Sequence, residues 1–558
     1  MDLRVYHYDP AFVLERFRAG ECTYVDGVSE VEETQFFRYI GAHQILAQLA
    51  ERYPSPRQKQ EVPTWMYLAS NLAMRLHGVH SFSGYPYVVR CGGMLNAFGP
   101  EVAHKAEHPE TQDVTLRCAG FNHKNTYDRQ TPCDQDFLRK LARDTRPERL
   151  QAWFNQDVTK VLKQHKAFDP DGIFLGDASY LFVPDNEHYE GSVRLLFDEH
   201  DHPVEPKALT AAQRARCRWE RCYKLVSLVH TNRQGDFFLY AAVAVVSGKA
   251  HECPVLYQLV EGVVAAVGRG VMKRLIADRG FLDGEQIGRC KREHGIDILI
   301  PARKGMDIAE DALGLVRGGQ VQFAPYEPPA PKPALDRPPT HMPAALRQRE
   351  RQRQRTLEKK KEAEGPVVPS PEKTRVRSEI AAINDFRSWS SCPVPLAVIL
   401  NQEIFADGHA EIWMLLDTRT VRDAAAARNE YRLRSAIEER HRQLKCFLDL
   451  TEFTSRAWSL IVNQVVFVLL AYTLLQLYLR RRGRTDLTRR TLPRVRSQLM
   501  PTRSVVILYH GERFALLSVL EYTRVLLTLA EAARKKLLAK TKRLQQVQAR
   551  EFTLIRAP

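Results

Sequence analysis

From about residue 170 onward the chain alternates short apolar runs with longer stretches of helical period. Gly172-Ile-Phe-Leu-Gly176 is uninterruptedly apolar and short, which predicts a buried strand that delivers Asp177 at its end. Residues 222–230 and 236–246 are strand-like and are separated by the turn-prone Thr231-Asn-Arg-Gln-Gly235. Residues 254–267 read as a helix, entered through a proline suited to a first helical turn. Residues 271–277 then lead to Asp278, and a helix follows over 283–294 with Asp283 as its cap. Ile296-Asp-Ile-Leu-Ile-Pro301 closes the series as another apolar strand. The predicted order is strand, strand, strand, helix, strand, helix, strand.

Further on, residues 394–405 and 411–416 predict two strands joined by an Asp407-Gly408 turn. A helix is then expected through Tyr431, Arg434, Glu438 and Lys445, which stand at offsets of 0, 3, 7 and 14. At about 100° per residue these fall within an arc of roughly 60°, so the four side chains share one polar stripe. Leu433, Ile437, Leu444, Phe447 and Leu448 occupy another sector, suited to burial against a sheet. Residues 458–479 are long enough to span a membrane, but Asn463, Gln464 and Gln476 interrupt them, which predicts a buried helix on the sheet. The first 165 residues read as mostly helical, for example over 63–77 and 135–163, with an irregular passage rich in glycine, proline and aromatics at 81–100.

Charge adds a partner to this picture. Lys plus Arg number 82 against 66 for Asp plus Glu, a net +16 with pI near 9.4, the balance of a protein that binds a polyanion. Much of the excess lies in 346–361 and in a tail with clusters at 480–484, 489–490 and 535–550, runs suited to phosphate contacts. Proline-rich 328–339 and the charge run after it lack the apolar surface to fold, so 324–373 is expected to be flexible. The ten cysteines form no CxxC pair or zinc-finger spacing, and the start of the chain lacks the basic and apolar regions of a signal peptide, so a cytosolic protein with reduced thiols is expected.

The spacing Y-x2-R-x3-E-x6-K resembles the signature of a family of bacterial insertion-sequence transposases with an Asp-Asp-Glu triad. Asp278-Arg279-Gly-Phe-Leu-Asp283 resembles the D-R-x-x-x-D stretch of the same cut-and-paste enzymes, and Trp413-Met-Leu-Leu416-Asp-Thr418 resembles their W-x-L-L-x-T element. The order of elements is similar to the ribonuclease H-like fold, in which the first and fourth strands are neighbours. The resemblance implies an α/β protein whose ribonuclease H-like core, 166–305 and 423–480, is interrupted by a mainly β insertion at 306–422. A mostly helical N-terminal region, 1–165, would bind transposon ends, and a basic helical C-terminal region would cover 481–558.

By the same resemblance Asp177, Asp278 and Glu438 are the catalytic carboxylates and hold two divalent ions, Mg²⁺ or Mn²⁺, which prefer oxygen ligands. Tyr431, Arg434, Lys445 and Arg279 are expected to contact DNA, and Trp413 to stack on a base flipped from the transposon end. The expected partners are double-stranded DNA, as terminal repeats and target, and a second copy of the chain in a synaptic dimer. The expected setting is the bacterial cytoplasm, at the nucleoid. The alternatives are a non-catalytic DNA-binding descendant and a ribonuclease H-like nuclease with other substrates.

Overall fold

Two units divide the chain, residues 147–494 forming one and residues 1–146 with 495–558 the other. The computed structural model describes residues 7–29, 32–58, 62–85, 88, 93–98, 104–107, 114–117, 134–199, 201–329, 374–488 and 504–539. The charged run at 346–361, most of the stretch expected to be flexible, and the basic clusters at 489–490 and 540–550 lie outside the described residues.

The larger unit is built on one ten-stranded sheet. Its strands are β1 (Ile173–Val183), β2 (Val193–Phe197), β3 (Arg218–Thr231), β4 (Leu239–Ser247), β5 (Arg274–Ile276), β6 (Asp297–Pro301), β7 (Ala324–Pro325), β8 (Arg375–Phe386), β9 (Leu396–Phe405) and β10 (Ala410–Asp417). The spatial order is β7-β8-β9-β10-β6-β5-β1-β3, with β2 and β4 sharing the far edge of β3. β1, β5 and β6 run parallel, and all other pairs are antiparallel. This is the ribonuclease H-like arrangement expected from the sequence, with the first and fourth core strands adjacent. The insertion does not stand apart from it: β10 pairs with β6, so the inserted strands extend the core sheet.

Three helices, α3 (Glu252–Val267), α4 (Gly284–Arg289) and α5 (Asp307–Arg317), belong to one sheet face and share a core with Phe174, Val226, Leu228, Leu275, Ile298, Leu400 and Leu416. Gly176 permits the close seating of α3, because a Cβ there would lie 2.8 Å from a methyl of Leu256. Asp283 caps α4 as expected, accepting the Gln286 amide at 3.1 Å. Residues of alternate parity along the strands point to the opposite face. That face receives α6 (Ala424–Tyr431), α7 (Arg434–Phe447) and α8 (Trp458–Arg481), with Ile437 and Leu444 of α7 fully buried and the Phe447 side chain outside the described residues.

α8 is apolar and long enough to cross a membrane, yet 94% of its most apolar window is buried inside the unit. Its polar residues explain the choice. Thr473 Oγ1 accepts from the Tyr240 amide at 3.0 Å, Gln476 accepts from the Phe238 amide at 3.3 Å, and Gln464 donates to the carbonyls of Asp449 and Glu452. They satisfy backbone groups that an apolar helix would leave bare. The outer edge of β4 is covered likewise by α1 (Pro147–Trp153), α2 (Thr159–Gln164) and the π-helical turn between them: Gln151, Asn155 and Thr159 bond to the backbone of Val245, Val243 and Ala241.

Several expected boundaries move. β1 runs six residues past Asp177, to Val183, because residues 221–226 of β3 supply further partners. The helix expected through Tyr431 to Lys445 is two helices: at Arg432 and Leu433 the bonds tighten to three-residue spacing, Leu433 to Glu430 and Ala436 to Leu433. The stretch expected to be flexible from 324 begins in order, since Ala324–Pro325 pairs with β8 and Tyr326 is buried. Arg480 pairs with Asp169 and the Ala167 carbonyl, and the exposed Arg481 donates to the carbonyls of His165 and Lys166.

In the smaller unit, four strands line up in the order His7–Tyr8, Arg513–Ser518, Ser504–His510, Tyr24–Ser29. The C-terminal region thus contributes a hairpin before its helices Val519–Thr528 and Glu531–Leu538. Val13, Phe17, Val506, Leu508, Tyr522 and Leu537 form its core.

Candidate active site

Asp177 and Asp278 come together through strand register. β1 and β5 pair in parallel up to Leu175 opposite Ile276, so Asp177 and Asp278 each follow two residues beyond that last pair. Asp177 is therefore a strand end on one side only, for on its other side it remains paired with Ser227 of β3. Asp278 caps a helical turn and accepts the Gly280 amide at 2.7 Å. Glu438 arrives from α7, one turn after Arg434.

Arg434 joins all three. Its Nη2 donates to Asp177 Oδ1 at 3.1 Å and to Asp278 Oδ2 at 2.8 Å, while Nη1 donates to Glu438 Oε1. Burial opposes its charge, but the three carboxylates outweigh burial and raise the guanidinium above its ordinary range. Asp278 moves the other way from a paired carboxylate. Burial raises its carboxyl, with further contributions from Asp177 and Glu252, against the opposing pull of Arg434 and the Gly280 amide. Among the described residues no three acidic, histidine or cysteine side chains are grouped to hold an ion by themselves, because the guanidinium lies between the carboxylates. The donor set is nonetheless all oxygen, and three carboxylates on one guanidinium leave an excess of negative charge that suits a hard cation.

A sequence profile of the family described as Transposase DDE domain matches residues 189–474, just over half of the chain. The chain belongs to this family. The matched span contains Asp278 and Glu438 and opens downstream of Asp177. No curated protein matches the chain. Transposases of this domain act on DNA and generally use divalent metal ions.

The remaining residues singled out in this DDE-domain protein divide by position. Tyr431 stands beside the cluster, its phenol pushed up to about 12, chiefly by burial and in part by Asp278 and Glu438 against the pull of Arg434 and Arg279. Arg279 is exposed next to Asp278, and its carbonyl accepts from Arg303. Lys445 is turned onto β1, donating to Ser179 Oγ at 2.8 Å and to the Tyr180 carbonyl at 2.6 Å, and burial lowers its ammonium. Trp413 is half-buried on β10, with the Arg428 guanidinium 5.1 Å from its ring centre and its indole N–H 3.5 Å from Glu403. The threonine of its motif, Thr418, locks register instead, accepting from the Ile298 amide and donating to Asp297.

Two features escaped the sequence. Arg274 of β5 makes a bidentate pair with Asp417, at 2.6 Å for both bonds, and also reaches Glu430 of α6, so the helix before Tyr431 is tied to the sheet. His441 lies over Asp177 and Ser227. Its signal was available, since it follows Glu438 by three residues at the margin of the same stripe.

Proposed function

We propose that this transposase cleaves DNA at the ends of an insertion sequence and joins the freed ends to target DNA, with Asp177, Asp278 and Glu438 holding two divalent ions, Mg²⁺ or Mn²⁺. The observation that supports this reading is that one guanidinium touches three carboxylates brought from two adjacent strands and a helix. Metal bound there supplies activation of an attacking water or DNA 3′-hydroxyl and neutralises charge on the leaving oxygen. Arg434 keeps the carboxylates together without metal; with metal and DNA present it turns to a phosphate oxygen, for which its planar donors are suited. Tyr431, held protonated by its raised value, donates a hydrogen bond to a neighbouring phosphate. Arg279, exposed at the same edge, adds a cation to the DNA path. Lys445 braces β1 from behind Asp177. A base leaving the duplex stacks on the half-buried ring of Trp413. The N-terminal region binds the terminal repeats, and two copies synapse two ends.

The test is cleavage of an end duplex, built from the inverted repeats that flank the gene, with Mg²⁺ present. Asp177→Asn, Asp278→Asn and Glu438→Gln are each expected to abolish nicking while leaving duplex binding nearly intact, because only metal coordination is lost. A variant that cuts at the wild-type rate removes its residue from the site.

A further inference from the structure

Of the side chains that reach the three carboxylates, His441 has no task in holding metal or DNA. It is 3% exposed, so its ring cannot reach a substrate. Its Nε2 lies 3.1 Å from Ser227 Oγ and its Nδ1 3.4 Å from Asp177 Oδ2. Asp177 and Ser227 are direct cross-strand partners on β1 and β3, so both side chains leave the sheet together and the ring bridges them.

The chemistry of the two neighbours assigns the ring's proton. A carboxylate oxygen only accepts, so the nitrogen beside it, Nδ1, carries hydrogen, and Nε2 then accepts from the Ser227 hydroxyl. Nδ1 is buried and makes no hydrogen bond among the described residues, and Asp177 Oδ2, 3.4 Å away, is the carboxylate oxygen beside it. The two oxygens of Asp177 are thereby divided: Oδ2 faces His441 and Oδ1 faces Arg434 and the cluster.

We infer that His441 is a positioning residue, whose Nδ1–H holds Oδ2 of Asp177 so that Oδ1 is presented to the metal, with Ser227 fixing the plane of the ring. This rests on the proposed reading of Asp177 as a ligand. Partners of this kind orient metal-binding side chains from outside the ligand set.

Replacements at His441 separate the two nitrogens. Asparagine places an amide nitrogen where Nδ1 stands, glutamine places one where Nε2 stands, and phenylalanine keeps the ring shape with neither. Mn²⁺ binding to the full chain, measured by calorimetry without DNA, is expected to stay within about threefold of wild type in His441→Asn and to weaken about tenfold or more in His441→Gln and His441→Phe. A structural role alone would make affinity follow thermal stability, whatever the nitrogen retained. Equal affinities in all three variants, or equal losses in Asn and Gln, overturn the inference. Should none of them fold, Ser227→Ala carries the test: a loss of about tenfold supports the inference and an affinity within about threefold of wild type overturns it. Asp177→Asn is the control. If it loses Mn²⁺ while His441→Gln does not, only the role of His441 fails; if it binds like wild type, the reading of the carboxylates fails with it.

Discussion

Two arginine–carboxylate clusters stand on the same face of the sheet, and their difference separates scaffold from working site. Around Arg274 the charges match: Arg274 and Arg419 meet Asp417 and Glu430, and the central pair is only 2% and 1% exposed. Around Arg434 they do not. One guanidinium is shared by three carboxylates, and Asp278 and Glu438 remain 34% and 55% exposed. A matched, fully bonded cluster can be buried and can hold a helix to a sheet, whereas an excess of carboxylate at an open edge is left for a cation from solution. The first cluster holds α6 down one residue before Tyr431 and so fixes where α7, with Arg434 and Glu438, begins.

The largest effect that tests this contrast is on folding. Asp417→Asn removes the charge on both bonds of the buried pair and leaves Arg274 with Glu430 as its only carboxylate, and is expected to destabilise the protein by about 3–5 kcal/mol, as removing one partner of a buried pair does. Glu438→Gln, which breaks an exposed contact, is expected to change stability by about 1 kcal/mol or less. Denaturant unfolding of both variants measures the gap. Equal losses would erase the distinction between the clusters.

A smaller effect sharpens it through pH. Because burial raises the Asp278 carboxyl, the folded protein holds that proton more tightly than the unfolded chain does. The resulting penalty is absent below the unfolded value, about 3.9, and fully present once pH exceeds the folded one. In chelator, Asp278→Asn is therefore expected to melt above wild type, by a margin that widens as pH rises through that window. A margin that narrows would mean that Asp278 is held as an ordinary paired carboxylate, like those of the closed cluster.

Much of this architecture was legible because it is local. The strand at 173, Asp278 after its short strand, the Asp283 cap and the apolar sector of α7 are written in runs of a few residues. What escaped was written across distance. Asp417 is 143 residues from Arg274, and Ser504–His510 pairs with Tyr24–Ser29. No periodicity joins such segments. β8 reads Arg-Val-Arg-Ser-Glu-Ile-Ala-Ala-Ile, an alternation too broken to mark a strand before its partner β9 is known. Arg434 and Lys445 carry the charge expected of phosphate contacts, yet in the absence of DNA both turn inward, one to carboxylates and one to β1. A charge on a stripe tells its sign but not its partner.

The central claim is that the open cluster exchanges its arginine for metal. A crystal structure of the protein with Mn²⁺ and a transposon-end duplex, with the manganese located by anomalous scattering, tests this most directly. The account predicts manganese among Asp177, Asp278 and Glu438, with the Arg434 guanidinium moved from the carboxylates to a DNA phosphate. Manganese bound elsewhere, or Arg434 still bridging the three carboxylates in a complex poised for cleavage, would contradict it.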